Sequence, residues 1–213
     1  MKFKALIIGA TGATGEDLVD ELLADQDYEK VTVFVRKSTG KQNAKLVEHI
    51  VDLSKPEEYA DQITGDVFFS CLGTTLKAAG SKQTQWKIDF EIPAKFAAIA
   101  KQNNVSSCVL VSAYGASADS RIFYSRMKGE LENRILGLGF RQVVIFKPGI
   151  LKRQGSDRIG EKVAIRVIEF LNRLGMFKSQ RPLPTSILAQ KLAEAPKSAQ
   201  KGVIYLEKDE IFR

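Results

Sequence analysis

The sequence predicts an α/β fold, a doubly wound and mostly parallel sheet with helices on both faces. Three observations predict it. Apolar strand-like runs alternate with segments of helical spacing along the chain, the order that buries a parallel sheet between helices. The run Val31-Thr32-Val33-Phe34-Val35 is β-branched and apolar throughout, as suits a strand covered on both faces. The stretch Gly9-Ala10-Thr11-Gly12-Ala13-Thr14-Gly15 lies between an apolar run and a helical one. Glycine takes positive φ and has no Cβ, so such a turn lets the backbone approach a phosphate. The helix that follows offers free N–H groups and a positive dipole end.

The elements follow in order. Residues 3–8 form the first strand and 13–24 the first helix. The second strand is 31–35, and 37–43 is polar loop. A short third strand, 47–51, precedes a helical turn at Pro56 with Ser54 as its expected N-cap. The fourth strand is 66–72, followed by a loop of small residues, 73–80. A long helix over 82–103 should be disturbed near Pro93. The fifth strand, 108–112, leads through the loop 113–120 into a helix over 121–138. The sixth strand, 142–146, is closed by Pro148-Gly149. Beyond it come a polar loop (152–160), an amphipathic segment (163–174), a helix (186–195) and a last strand (202–206). No repeat, linker or low-complexity tract interrupts the chain. We expect one domain over 1–213, with about 150–213 as a small extension that covers the sheet edge and contributes to a substrate pocket.

Composition narrows the function classes. The chain has 213 residues, 44% of them hydrophobic, and 27% are charged, as in ordinary globular proteins. Its longest apolar runs are a few residues, far short of a bilayer span, so no membrane partner is expected. No secretory segment is apparent, and Cys71 and Cys108 lie in separate strand-like segments, so a cytoplasmic protein is expected. The formal net charge is +7. Cations including Lys147, Lys152 and Arg158 are dense from Arg141 to Arg181. No nucleic-acid-binding motif accompanies them. We read them as a basic surface with a few cations facing an anionic cofactor, and expect no nucleic acid.

Ligands of open α/β sheets bind at the carboxyl ends of the strands. The second strand ends in Arg36-Lys37, where an acid would favour the ribose hydroxyls of NAD. A cation there pairs instead with a 2′-phosphate, so NADP is the expected cofactor and NAD the alternative. Asp52 can accept from an adenine amino group or cap the next turn. Tyr124 and Lys128, four apart in a helix, share a face. An ammonium beside a phenol lowers the phenol's pKa, and the phenol can then exchange a proton with a substrate oxygen during hydride transfer. Ser112, ending the fifth strand, could orient the carbonyl. The single histidine, His49, lacks companions at ligand spacing, so no metal is expected. Cys71 and Trp86 are read as packing or pocket wall.

Together, Gly9-Ala-Thr-Gly-Ala-Thr-Gly15, Ser70-Cys-Leu-Gly-Thr-Thr75, Leu110-Val-Ser112, Tyr124-Ser-Arg-Met-Lys128-Gly-Glu-Leu-Glu132 and Phe146-Lys-Pro-Gly-Ile150 resemble the atypical short-chain dehydrogenase/reductases, closest to the Tat-interactive-protein-like branch. The resemblance implies an extended Rossmann sheet and NADP(H). It places cofactor contacts at Gly9, Thr11, Gly12, Ala13, Thr14, Arg36, Lys37, Leu72, Gly73, Tyr124, Lys128 and Ile150, with Arg158 reaching the phosphates. It makes Tyr124 and Lys128 the catalytic pair. Two departures stand out: the family's hydroxyl position can align with Ala113 instead of Ser112, and Asp89 stands where many relatives have an Asn. The expected function is an NADP(H)-dependent oxidoreductase acting on a small carbonyl or alcohol, as a monomer or homodimer. The alternatives are a non-catalytic NADP sensor like the NmrA-type proteins and a sugar-nucleotide epimerase or dehydratase.

Overall fold

The structure is a computed structural model and describes residues 2–152 and 182–212. Its elements are β1 (Phe3–Ile8), α1 (Ala13–Ala24), β2 (Tyr28–Val35), β3 (Leu46–Ile50), β4 (Val67–Ser70), α2 (Leu76–Ala79), α3 (Lys82–Trp86), a π-helical turn (Lys87–Glu91), α4 (Ile92–Gln102), β5 (Ser107–Val111), α5 (Phe123–Leu136), β6 (Gln142–Lys147), β7 (Leu151–Lys152), β8 (Leu183–Pro184), α6 (Thr185–Glu194) and β9 (Gly202–Glu207). Seven strands form one sheet in the order β3-β2-β1-β4-β5-β6-β9. Every pair in it is parallel. This is the Rossmann arrangement that the sequence predicts.

Two apolar layers hold the sheet. On one face Leu18, Val19 and Leu22 of α1 meet Leu188, Ala189 and Leu192 of α6 over Ala5, Ile7, Val33 and Phe69. On the other, Phe96, Ala97 and Ala100 of α4 and Leu131 and Ile135 of α5 pack over Leu6, Ile8, Phe68 and Leu110. Alternate residues of β1 and β4 thus serve opposite layers, which is why these strands are apolar at every central position.

The long helix after the fourth strand runs to Gln102 and is disturbed near Pro93 as expected, by a π-helical turn just before it, the missing N–H falling where α4 begins. Other boundaries differ from the sequence reading. Ser54 does not cap the turn at Pro56: Lys55 holds the N-cap position without a side-chain bond. β2 starts at Tyr28, because that buried ring pairs beside Phe3 and its hydroxyl donates to the Ala193 carbonyl at 2.8 Å. The C-terminal segment does more than cover an edge. β9 joins the sheet, in register with β6 from Gln142↔Gly202 to Lys147↔Glu207.

The order reverses between β1 and β4, which leave in opposite directions across the sheet. A crevice opens at their carboxyl ends, as such reversals require. Gly9 and the segment after Ser70 meet there, because the register Ile8↔Ser70 sets them side by side.

Candidate functional site

Gly9 packs against the backbone of Cys71 and Leu72 at the crevice. Its φ is +83°, and a Cβ on it would lie 2.5 Å from the Cys71 carbonyl carbon. Only glycine fits, because both the conformation and the space exclude a side chain. The Gly12 N–H closes the turn on the Gly9 carbonyl at 3.0 Å. Gly12 then stands as the N-cap of α1 and brings no side-chain cap, so the first N–H groups of α1 stay open to an anion. Gly12, Ala13 and Thr14 line one side of a cleft of about 300 Å³; Cys71, Leu72, Gly73, Thr74 and Thr75 line another, and Ser112, Tyr124, Lys128 and Leu151 also border it. The cleft therefore brings together Gly12, Ala13, Thr14, Leu72, Gly73, Ser112, Tyr124 and Lys128 of the residues expected from the sequence. Thr11 lies exposed in the same turn.

Tyr124 and Lys128 both sit on α5 and both reach the cleft, as their spacing predicts. Lys128 is 3% exposed, and its ammonium has no hydrogen bond or ion pair among the described residues. Burial lowers its pKa, while the charges of Asp89 and Glu132 and the thiol of Cys71 oppose that drop. The electrostatics of the cleft run against the expected phenol activation. Tyr124 is pushed up to about 12, first by burial and then by the Asp89 carboxylate. A cation that is itself desolvated and partly neutralised by acids offers little net field to its neighbour.

Asp89 is the site residue whose role the sequence left open. It lies in the π-helical turn, fully buried, and accepts the Thr74 N–H on Oδ1 at 2.8 Å. Its Oδ2 is buried without a hydrogen-bond partner among the described residues. Burial raises its carboxyl to about 6, against the lowering effects of Lys128, the Thr74 N–H and Gln85. Thr74 and Thr75 lie in the cleft wall, where the sequence reading expects the loop from Thr74 to stand, but that reading gives their hydroxyls no role. The signal available was the Thr-Thr pair directly after the strand-ending Leu72-Gly73.

Ser112 lines the cleft, but its hydroxyl donates to Glu132 Oε1. Glu132 Oε2 pairs with Lys147 at 3.2 Å, and Lys147 also donates to the Ala116 carbonyl at 3.1 Å. The role of orienting a carbonyl is therefore corrected: the Ser112 proton is committed to a buried carboxylate. Ala113, the alternative position, has no hydroxyl. Lys147, grouped with the basic surface by sequence, is instead one partner of this buried ion pair.

The adenosine-end candidates are arranged more loosely. Arg36 and Lys37 follow β2 and are exposed. Asp52 is exposed, and its Oδ1 accepts the Ser54 N–H at 2.9 Å, a local bond two residues ahead of the turn at Pro56. Ile150 is 40% exposed beside β7. Arg158 lies outside the described residues, as do most of the loop 152–160 and the segment 163–174. His49 stacks on Phe34, with ring centroids 5.0 Å apart. Burial holds the Cys71 thiol up at about 12, so it is no thiolate near neutrality. Trp86 packs with Phe90 and Phe123.

Residues 9–136 match the model of a family described as NAD(P)H-binding. The chain is 36% identical over 175 residues to protein FMP52, mitochondrial, of Eremothecium gossypii, covering 80% of this chain and 75% of that one. It is 37% identical over 164 residues to protein HTATIP2 of Rattus norvegicus, covering 74% and 67%. Among solved structures it resembles the short-chain dehydrogenase/reductase YIR035C of Saccharomyces cerevisiae, with a TM-score of 0.70 at 17% identity over 98% of this chain and 96% of that one. It also resembles MoeE5 in complex with UDP-glucuronic acid and NAD, with a TM-score of 0.75 at 15% identity over 96% and 76%. At these identities the structural likenesses speak for the fold alone. The FMP52 relatives are named mitochondrial proteins, which overturns the expected cytoplasmic location. Unpaired cysteines and short apolar runs did not bear on it, since neither separates one reducing compartment from another.

Proposed function

The chain belongs to the NAD(P)H-binding family as an atypical short-chain dehydrogenase/reductase, and on that premise we propose that it is an NADP(H)-dependent oxidoreductase acting on a small carbonyl or alcohol. One observation carries the reading. A single cleft joins the open N-terminus of α1 to Tyr124 and Lys128.

The residues fit a dinucleotide. Gly9 admits no side chain, the first turn of α1 offers uncapped N–H groups, and the Lys128 ammonium has donors to spare. Gly12, Ala13 and Thr14 would hold the pyrophosphate, Leu72 and Gly73 would border the ribose, and Lys128 would donate to the ribose hydroxyls. Arg36 and Lys37, exposed after β2, would pair with a 2′-phosphate, which favours NADP over NAD. The nicotinamide, when bound, supplies or accepts the hydride. Tyr124 passes a proton to or from the substrate oxygen. Thr74, a cleft residue whose hydroxyl is uncommitted among the described residues, takes over the orienting role that Ser112 cannot fill. A small-molecule substrate is the expected partner.

Tyr124→Phe tests the chemistry, in a screen of carbonyl compounds for NADPH oxidation. It should lower turnover by about 10²-fold or more while leaving NADPH binding within a few fold. Unchanged turnover would overturn the assignment. The second reading, an NADP-binding protein without turnover, is favoured by one observation: the Ser112 hydroxyl, the expected carbonyl orienter, donates to the buried Glu132 carboxylate. It predicts NADPH binding with no substrate in the screen.

A further inference from the structure

β2 is joined to β3 by a loop, residues 36–45, where a parallel crossover usually carries a helix. The polar groups of that loop converge on one side chain. Glu48 of β3 stands in register with Val33, so it points to the sheet face that carries α1. Its Oε2 accepts the Ser38 hydroxyl at 2.6 Å. Its Oε1 accepts the Thr39 N–H at 2.9 Å and the Thr39 hydroxyl as well. The same two hydroxyls accept backbone N–H groups two residues on, from Gly40 at 3.1 Å and from Lys41 at 3.2 Å, each closing a side-chain turn. Gly40 carries the bend at φ +73°. Further along, Lys41 pairs with Asp20 of α1 at 2.6 Å, and Lys45 donates to the Leu23 and Asp25 carbonyls at the end of that helix. Burial acts to raise the Glu48 carboxyl, but the bonds from Ser38 and Thr39 outweigh it and hold the group below the usual glutamate range.

The loop is thus fastened from Ser38 onward, and the two residues just before it are Arg36 and Lys37, both exposed after Val35. An arginine meets a phosphate through two parallel bonds only when its backbone is held at the right distance and angle. A loop folded in advance also brings no ordering cost to binding. We propose that Glu48 is a positioning residue for dinucleotide selection: by holding Ser38 and Thr39 it fixes Arg36 and Lys37 where the 2′-phosphate of NADP would lie. The inference rests on the NADP preference of the proposed function. Glu48 itself touches no part of the cofactor. Three donors from the loop occupy its two oxygens, so the carboxylate is spent on the loop and acts through it.

The test compares NADPH and NADH binding by the full chain, read from the fluorescence of the bound nicotinamide. Glu48→Ala should weaken NADPH about tenfold and leave NADH within about twofold, because NADH has no 2′-phosphate for the loop to meet. The retained NADH binding also shows that the variant is folded. Glu48→Gln keeps an acceptor oxygen for Thr39 and should hold NADPH within about threefold of wild type. A role in holding the sheet alone would weaken both dinucleotides alike. In a background with Arg36→Ala and Lys37→Ala, Glu48→Ala should change NADPH binding by less than about twofold. Four results overturn the proposal: equal losses for the two dinucleotides, no loss in Glu48→Ala, tighter NADPH binding in Glu48→Gln, or an undiminished loss in the background without the cations. Wild-type protein that binds NADH as tightly as NADPH overturns the NADP reading and this inference with it, a result read before any variant is made.

Discussion

A fully buried carboxylate costs stability to ionise, and Asp89 sits at 0% exposure with one oxygen unpartnered among the described residues. Its carboxyl is raised from 3.8 to about 6. The folded protein therefore binds a proton that the unfolded chain releases, and its stability declines as pH rises from about 4 through about 6. Asp89→Asn removes that penalty. At neutral pH it should stabilise the cofactor-free protein by about 1–3 kcal/mol, measured by urea unfolding, and give no gain near pH 4. A variant that is more stable yet binds NADPH less well would mark strain kept for function. At this scale the sequence is legible where spacing carries the information. Four residues on a helix put Tyr124 and Lys128 on one face in any fold. Asp89 and Ser112 were not assignable in that way. Whether Ser112 offers its proton to a substrate or to Glu132 depends on a partner 20 residues away, and the partnerless state of Asp89 Oδ2 depends on everything packed round it.

Among the elements, α5 carries Tyr124 and Lys128 into the cleft, and its placement is tightly determined. Gly129, next to Lys128, lies so close to the loop 113–120 that a Cβ would come within 2.2 Å of the Ala118 nitrogen. One turn on, Glu132 joins Lys147 of β6 in an ion pair whose side chains are 7% and 11% exposed. Lys147 also lies 3.6 Å from Glu207 of β9 and donates to the Ala116 carbonyl. One buried lysine thus fastens α5, the loop 113–120 and two strands together behind the cleft. Lys147→Met should destabilise by about 3–5 kcal/mol in chemical denaturation, because Glu132 would be left buried and unpaired. Lys147→Met with Glu132→Leu should recover much of the loss, since an apolar pair of similar volume avoids both desolvation costs. The helix itself could be read from periodicity. The pair behind it could not, because Lys147 reads as one more cation in a basic stretch.

At the scale of the molecule, the C-terminal residues close the fold from two sides. α6 packs on α1 in one apolar layer, and β9 extends the sheet beyond β6. The Tyr28 hydroxyl donates to Ala193 across 165 residues of sequence, joining the start of β2 to the end of α6. Tyr28→Phe should lower stability by about 1 kcal/mol, since the bond is buried. In thermal unfolding that is a drop of about 2–4 °C for a chain of this size. Binding acts at the same scale. NADP at about a hundred times its dissociation constant should stabilise the native state by about 2.7 kcal/mol, and the same concentration of NAD should shift the melting temperature less if Arg36 and Lys37 receive a 2′-phosphate. Equal shifts would remove the basis for preferring NADP.

The sequence by itself determined the Rossmann sheet, the glycine turn at its head and the shared face of Tyr124 and Lys128, because these follow from local rules: periodicity along strands and helices, the demands of a tight turn, and residue spacing. The tertiary structure alone decided the protonation of the site. A pKa is set by burial and by whichever charges pack nearby, and those neighbours come from α3, the π-helical turn, α5 and the loop after β4. So burial raises the phenol that the Tyr-Lys spacing predicts to be activated, the Ser112 hydroxyl is turned to Glu132, and Asp89 is left fully buried in the π-helical turn.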